Sequence, residues 1–480
     1  MKGHASLLAA LLTLGCGAGP TGGDAPTSAA TPPAAVTPTP DEPAQGNDGR
    51  PNIVLIYTDD QGFADVGVAG LDSAVHTPQA DALAAAGTYF QRAYVSAPQC
   101  SPSRAGMLTG QYQGRFGFET NSDGPLRPKA VTIAERLQEA GYRTGMAGKW
   151  HLGLDQNNRQ NLPADARPAP FRARAQGFDE HFEGYREHWH ASHSPEGHAL
   201  PQGEHQTAFP GDRIALTTRW AEEFIARHAD APFFLYVPYF APHVPLEATA
   251  EDRAVFAGEP DAVRRDALAM IHAMDRGLGT LREALARHEL TRRTLIIFAS
   301  DNGAPELETV RNGSSNGPLI GEKGMLTEGG LRVPFIIAWP GALPAGRVEA
   351  HPVSSLDIAP TILGAAGLSR DPLGDGRDLR PWLRGESNPP ERRLYWRWMN
   401  QAAVRDADWT LLWLGDGRRY LFAAGAPEQP QQDRSAQVPD VAADLTDGVR
   451  HWAQSLRPGG LPASGISEME AHLYTAAGFP

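Results

Sequence analysis

The chain reads as an α/β protein. It has a large, mostly parallel central sheet with helices on both faces, followed by a smaller C-terminal α+β domain with an antiparallel sheet. Three observations lead there. Short continuous apolar runs, beginning with Asn52-Ile53-Val54-Leu55-Ile56-Tyr57-Thr58, recur as far as Trp339 and suit strands buried on both faces. Segments of helical periodicity separate them, the pattern of parallel strands joined by crossover helices. Beyond Leu394 the spacing shortens, as expected of antiparallel strands.

In chain order, Met1–Gly15 has Lys2 and then a compact apolar run, Leu7–Leu14, too short to span a bilayer and suited to the core of a secretory signal. Gly15-Cys16 follows and resembles a bacterial lipoprotein signal, in which the cysteine becomes the acylated first residue. Thr13 and Leu14 depart from the usual Leu and small residue, so lipidation of Cys16 and ordinary cleavage both stay open. Either places the protein outside the cytoplasm, as a lipoprotein of periplasm or outer membrane or as a secreted protein. Residues 17–49 are Ala, Pro, Thr and Gly with few large apolar side chains, a flexible tether. The expected division is therefore 1–16 signal, 17–49 tether, 50–385 catalytic domain and 386–480 C-terminal domain.

After the first strand the sequence predicts a helix at Asp81–Ala86, a turn at Cys100 and a helix over Arg104–Leu108. Thr132 with Glu135 forms a capping-box pattern for a helix ending at Gly141. Strands are expected at Tyr142–Ala147, Phe233–Val237, Thr294–Phe298 and Val333–Trp339, with helices at Arg213–Arg227 and Arg264–His288. In the C-terminal part, Leu394–Trp398, Ala403–Leu414 and Arg419–Ala423 read as strands and Ala442–Leu456 as a closing helix.

Composition narrows the function. The 480 residues exceed one minimal core, and 41% hydrophobic content suits a globular protein. The 51 Gly and 41 Pro indicate many loops. A net charge of −13 argues against nucleic acid as a partner, so any bound anion must be held by local cations or a metal. The two cysteines are Cys16 and Cys100. With Cys16 in a signal, Cys100 has no disulfide partner in the mature chain, and its Pro, Ser and Arg neighbours make a turn rather than an apolar core position.

Each buried strand is followed by residues able to do chemistry: Asp59 and Asp60, then Lys149 and His151, then Pro242 and His243, then Asp301 and Asn302. In an open α/β sheet, ligands bind beyond the carboxyl ends of strands, so these groups are expected to converge. Asp59, Asp60, Asp301 and Asn302 offer hard oxygen donors suited to Ca²⁺ or Mg²⁺ rather than zinc. Three carboxylates leave that set negative, which gives Arg104, Lys149 and Lys323 a purpose as compensating cations and anion binders. A second cluster, His188, His190, His193, His198 and His205, is dense enough to suggest a metal, but reads here as a solvated loop near the pocket mouth.

Cys100-Ser101-Pro102-Ser103-Arg104, continuing to Leu108-Thr109-Gly110, resembles the C-S-P-S-R-x-x-x-L-T-G signature of the type I sulfatases, formylglycine-dependent members of the alkaline phosphatase superfamily. Gly141–Gly153 matches their second signature, G-Y-x-T-x-x-x-G-K-W-H-x-G, without departure. Ala241-Pro242-His243-Val244-Pro245 and Gly321-Glu322-Lys323-Gly324 with Glu328-Gly329-Gly330-Leu331-Arg332-Val333-Pro334 resemble two further blocks. The resemblance runs from Pro51 to Leu383, with a weaker echo over Tyr395–Leu414.

The resemblance implies that a maturation enzyme oxidises Cys100 to Cα-formylglycine, whose hydrate attacks sulfur. It implies a divalent ion, usually Ca²⁺, on Asp59, Asp60, Asp301, Asn302 and residue 100. Asp301 would take the proton of the attacking hydroxyl. Arg104 and Lys149 would hold the diol and the developing oxyanions. His243 and Lys323 would assist the leaving alcohol, and His151 would deprotonate the second hydroxyl to release sulfate. The expected substrate is a sulfated carbohydrate, with aryl sulfates as artificial substrates. Two other readings are a hydrolase of phosphate diesters or phosphonates on a related fold, and a non-enzymatic binder of sulfated glycan; the acid–base set argues against the binder.

Overall fold

An apolar run bounded by polar residues favours a sheet interior, and Asn52–Thr58 (β1) lies there with every residue buried. The computed structural model describes residues 49–153, 171–185, 188–200, 205–368, 374–461 and 465–480. The expected signal, Cys16 and all of the tether but its last residue lie outside the described residues. From β1 the chain runs through α1 (Pro78–Ala85), β2 (Thr88–Phe90), β3 (Ala93–Tyr94), α2 (Cys100–Thr109), α3 (Ile133–Glu139), β4 (Arg143–Gly148), β5 (Glu180–Tyr185), β6 (His188–Ala191) and β7 (His205–Ala208). It continues through α4 (Arg213–Arg227), β8 (Phe233–Pro238), α5 (Ala250–Val255), α6 (Ala262–Arg287), β9 (Thr294–Ser300), α7 (Glu328–Leu331) and β10 (Phe335–Ala338). Next come β11 (Arg347–Glu349), β12 (Val353–Ser354), α8 (Ile358–Ala365) and α9 (Arg380–Leu383).

Ten strands form one sheet in the order β11-β2-β10-β9-β1-β8-β4-β5-β6-β7. Its centre, β9-β1-β8-β4-β5, is parallel throughout. The flanks make the whole sheet mixed: β10 runs antiparallel to β9 and β2, and β6 runs antiparallel to β5 and β7. The segment after β9 stays at the carboxyl end of the sheet, so Phe335–Ala338 can only run back. β6 follows β5 too closely for the crossover a parallel pair requires.

The two faces of the sheet take alternate residues. Ile53, Leu55 and Tyr57 join Phe234, Tyr236, Leu295 and Ile297 on one face, covered by Met107 and Leu108 of α2, Leu137 of α3 and Ile362 of α8. Val54 and Ile56 join Leu235, Val237, Ile296 and Phe298 on the other, covered by Leu83 of α1, Trp220 and Phe224 of α4, and Met274 and Leu278 of α6. Each such fully buried large side chain contributes about 1.5–3 kcal/mol. Local chemistry starts the helices. The expected capping box of α3 forms, Glu135 N donating to Thr132 Oγ1 at 3.2 Å and Thr132 N to Glu135 Oε2 at 2.8 Å. Asp212 and Asp261 cap α4 and α6.

The C-terminal sheet is antiparallel, β13 (Leu394–Trp398), β14 (Gln401–Arg405), β15 (Trp409–Trp413) and β16 (Arg419–Ala423) in that order. The run expected as one strand, Ala403–Leu414, is two, because Asp406 Oδ1 accepts from Asp408 N and Trp409 N and closes a turn. Helix α10 (Pro439–Ala453) covers one face through Leu445 and Val449. It does not close the chain; α11 (Glu468–Ala476), capped by Ser467, follows and contributes Leu473 and Tyr474 to the other face. That face shares its core with Tyr94, Val95, Met325, Leu326, Leu331 and Val333. Among the described residues no helix is long and apolar enough to cross a membrane.

Candidate active site

Because β9, β1, β8 and β4 are adjacent and parallel, their carboxyl ends deliver Asp301, Asp59, His243 and Lys149 to one place. Gly148 makes the β4 end possible. It has φ +128°, and a Cβ there would lie 2.0 Å from Pro238 O, the carbonyl that accepts from Lys149 N at 2.7 Å. Cys100 does not sit in a turn before a helix; it is the first residue of α2, so the helix begins four residues earlier than expected. Arg104 follows at i+4, on the same face.

The resulting site is buried and densely charged. Asp59, Asp60, Cys100 and Asp301 bring one ligand atom each to within 4.8 Å of one another. Arg104 donates to Asp301 Oδ2 from Nε at 3.0 Å and from Nη2 at 2.7 Å, with its guanidinium over the Tyr57 ring. Lys149 Nζ lies 2.6 Å from Asp59 Oδ2. Lys323 Nζ lies 2.6 Å from Asp60 Oδ1 and 3.1 Å from Cys100 Sγ. His243, half-buried, holds Nε2 3.7 Å from Asp60 Oδ2. Its Nδ1 donates to Val244 O at 2.5 Å, which leaves Nε2 as the ring nitrogen facing the site. All of the site residues expected at strand ends, together with Cys100, Arg104 and Lys323, are therefore in this neighbourhood; for His151 the charges that act on it are those of Lys149, Asp59, Arg104 and His243.

The electrostatics divide the groups. Burial opposes ionisation of Asp59, but Lys149, His243 and Arg104 override it and hold the carboxyl well below its usual range. Asp60 is lowered in the same way, by Lys323 above all against its burial. For Asp301, burial wins over Arg104 and lifts the carboxyl to about 6. Burial, reinforced by Asp301, pushes the Cys100 thiol up. Burial and Lys149 push His151 well down, so it is a neutral base.

Two observations fit a hard cation to this site. Asn302 Oδ1 is buried without a hydrogen-bond partner and Asp59 Oδ1 has only the Arg104 guanidinium, at 3.5 Å, while Asn302 Nδ2 donates to Asp60 Oδ1 at 2.6 Å. The donors are carboxylate and amide oxygens. Strain marks the same place: Asp60 has φ +63° and His151 φ +54°, and His151 Nδ1 is buried with no partner.

The histidine-rich segment is a solvated loop only in part: His198 is exposed in the turn after β6, whereas other members are built into the sheet. His188, His190 and His205 lie on β6 and β7. The His190 ring is buried and stacked on His181 at 5.2 Å, with Arg172 against its Nε2. His193 Nδ1 lies 3.4 Å from Glu180 Oε2. The side chains of His188 and His205 are outside the described residues. No group of metal-ligand geometry was found among the described residues of this segment.

Sequence reasoning missed Asn312. Its buried Nδ2 donates to Asp60 O at 3.1 Å and Pro242 O at 3.2 Å, joining the ends of β1 and β8. Asn312-Gly313 reads only as a turn, and nothing local points to that contact.

The family model described as Sulfatase matches residues 51–368. N-acetylgalactosamine-6-sulfatase of Canis lupus familiaris is 33% identical over 392 residues, covering 75% of this chain and 71% of that protein. Arylsulfatase A of Homo sapiens is 34% identical over 381 residues, 72% of this chain and 70% of that one. The crystal structure of Ps i-CgsB in complex with k-i-k-neocarrahexaose shares the fold with a TM-score of 0.74 and 30% identity, over 90% of this chain and 98% of that one. With the strand-end constellation, these matches make the chain a member of the type I sulfatases of the alkaline phosphatase superfamily, a sulfuric ester hydrolase.

Proposed function

We propose that this sulfatase acts on sulfated carbohydrates through formylglycine at position 100, with Ca²⁺ (or Mg²⁺) on Asp59, Asp60, Asp301, Asn302 and residue 100. The observation that carries the chemistry is the environment of Cys100. A thiolate nucleophile needs a depressed thiol, and here burial and Asp301 raise it. The side chain is thus poorly placed to act as a thiol, though it sits among the cations a sulfate needs. As formylglycine the residue would supply a hydrated aldehyde, one hydroxyl for attack on sulfur and a second for release of sulfate. The ion, when bound, would supply positive charge to the sulfate oxygens.

This chain's own groups would do the rest. Arg104 and Lys149 bind and orient the sulfate oxygens, and Lys323 places a positive charge beside residue 100. Asp301, lifted to about 6, is suited to accept the proton of the attacking hydroxyl. His243 at the half-buried mouth, once charged with a proton on both ring nitrogens against the pull of burial and Lys149, gives the Nε2 proton to the leaving oxygen. His151, half-buried and neutral, holds the base position for the second hydroxyl. Support for a sugar comes from the relatives: one is named for a 6-sulfated N-acetylgalactosamine, and Ps i-CgsB was crystallised with a neocarrahexaose.

A panel of defined sulfated mono- and oligosaccharides, alongside nitrophenyl sulfate and an aryl phosphodiester, tests this with sulfate release as the readout. The expected result is release from at least one sugar sulfate, faster than phosphodiester cleavage, with peptide mass spectrometry showing thiol-to-aldehyde conversion at Cys100. Fully active enzyme carrying only unmodified Cys100 would defeat the chemistry proposed. Activity confined to the phosphodiester would favour the related-hydrolase reading.

A further inference from the structure

Lys323 lies on a loop that makes one turn of its own, Met325 N donating to Glu322 O at 2.9 Å, and is otherwise fixed by contacts from outside it. Gly321 and Gly324 flank it with φ +87° and +89°. The grip comes from elsewhere. Lys323 N donates to Ala304 O at 3.1 Å, and Gly324 N donates to Pro98 O at 2.9 Å, two residues before Cys100. From the opposite side comes Gln401, the first residue of β14, with no exposed surface. Its Nε2 donates to Gly324 O at 3.2 Å, and its Oε1 accepts from Leu326 N at 3.3 Å. Tyr474 of α11, also buried, donates its hydroxyl to the same Oε1. A Cβ on Gly324 would come within 3.3 Å of Leu473 and 3.4 Å of Trp398, so the C-terminal side chains close directly on this peptide.

Residues 323–326 are thus held between the start of α2 and the C-terminal sheet. One amide grips the stretch at both ends, a donor to Gly324 and an acceptor from Leu326, whose N–H it shares with the Tyr474 hydroxyl at 3.3 Å. An apolar residue of similar size would fill the space without hydrogen-bond requirements, but it could not fix the peptide in that register.

We propose that Gln401, oriented by Tyr474, is a positioning residue that sets the place of Lys323 Nζ beside residue 100, so that the C-terminal sheet serves the reaction through the Lys323 loop. The role of Lys323 in this inference rests on the sulfate-ester reading above; the hold on the loop does not.

Two readouts on the matured, full-length enzyme test it. In the first, Gln401→Leu should lower kcat for a sugar sulfate by about 10- to 100-fold, the size of effect a displaced catalytic group produces, while adding less than about 2-fold in a Lys323→Ala background, because coupled groups do not lose activity independently. In the second, hydrogen exchange over residues 320–328 should accelerate in Gln401→Leu, with β1 and β9 as protected as in wild type. Tyr474→Phe, which keeps the ring and removes the hydroxyl, should move both readouts the same way by less, and it decides the matter if Gln401→Leu does not fold. Exchange over 320–328 unchanged in both variants, or losses from Gln401→Leu and Lys323→Ala that multiply, would overturn the proposal. If wild type releases no sulfate from any ester, the proposed function falls, and the exchange comparison alone decides whether Gln401 holds the loop.

Discussion

Two charge clusters sit on neighbouring parts of the same sheet, and they are built differently. Around Glu180, at the start of β5, a single carboxylate is shared among basic groups: Oε1 takes His228 Nε2 at 2.8 Å, and Oε2 takes Arg227 Nη2 at 2.6 Å with His193 at 3.4 Å, although Arg227 Nε and Nη1 are buried without hydrogen-bond partners. Around Cys100, three carboxylates are forced together, Asp59 Oδ1 and Asn302 Oδ1 lack hydrogen-bond partners, and Asp60 and His151 sit at positive φ. Carboxylates crowded together out of water and backbone held in sparse regions are costly, so they persist where a function requires them. The first cluster belongs to stability and the second to chemistry. The contrast predicts that damage to one should spare what the other provides.

The largest effect should come from removing the cation proposed for the second cluster. Chelation should lower sulfate release by about 10³-fold or more, as loss of several kcal/mol of charge stabilisation would. Ca²⁺ or Mg²⁺ should restore activity and zinc should not, given the oxygen donors. Asp301→Ala should lower the bound metal measured by elemental analysis. Metal-free enzyme with full activity would erase the distinction between the clusters.

Within the site, the two histidines should separate. His243 Nε2 faces the mouth, and its help depends on the basicity of the leaving oxygen. His243→Ala should therefore cost about 10²–10⁴-fold on a sugar sulfate and far less on nitrophenyl sulfate. His151 is half-buried and, in the proposed mechanism, acts after the alcohol has left. His151→Ala should slow both substrates to a similar rate, with a stoichiometric burst of nitrophenol. Equal losses in His243→Ala, or a burst there and not in His151→Ala, would reverse the assignment.

How much of this was legible in the sequence depended on distance along the chain. Asp59, Lys149 and Asp301 each follow a strand directly, and His243 lies five residues beyond β8, so the parallel-sheet rule brings them together. That Cys100 and Arg104 share a helix face was not legible, because the Ser and Pro beside Cys100 read as a turn before the helix. The antiparallel return of β10 was not legible, because an apolar run carries no direction. Nor was the β5–β7 meander: Glu180-His181-Phe182-Glu183 looks polar, yet His181 and Glu183 are buried because His190 and Arg172 lie close by. Asn312 and Gln401 act across 252 and 77 residues of chain, where no local pattern signals a partner.

The smallest effect sharpens the comparison from the other side. Burial opposes ionisation of Glu180, but the hydrogen bond from His228 and the charge of Arg227 bring its carboxyl down to about 2 from an ordinary 4.5. A carboxyl depressed in the folded state adds stability above the unfolded value, near 4.5, and loses it as pH falls through about 2. Glu180→Gln should therefore destabilise the protein by about 1–3 kcal/mol at pH 7, allowing for the partial exposure of the cluster. The gap between the variant and wild type in denaturant unfolding should stay constant above about pH 5, then close as the pH is lowered toward 2. Sulfate release per folded molecule at pH 7 should be unchanged, because Glu180 ties the start of β5 to α4 and touches none of the groups around residue 100. A gap that stays constant down to pH 2 would mean that Glu180 is not held ionised by its partners. A loss of turnover without a loss of stability would mean that the two clusters are one.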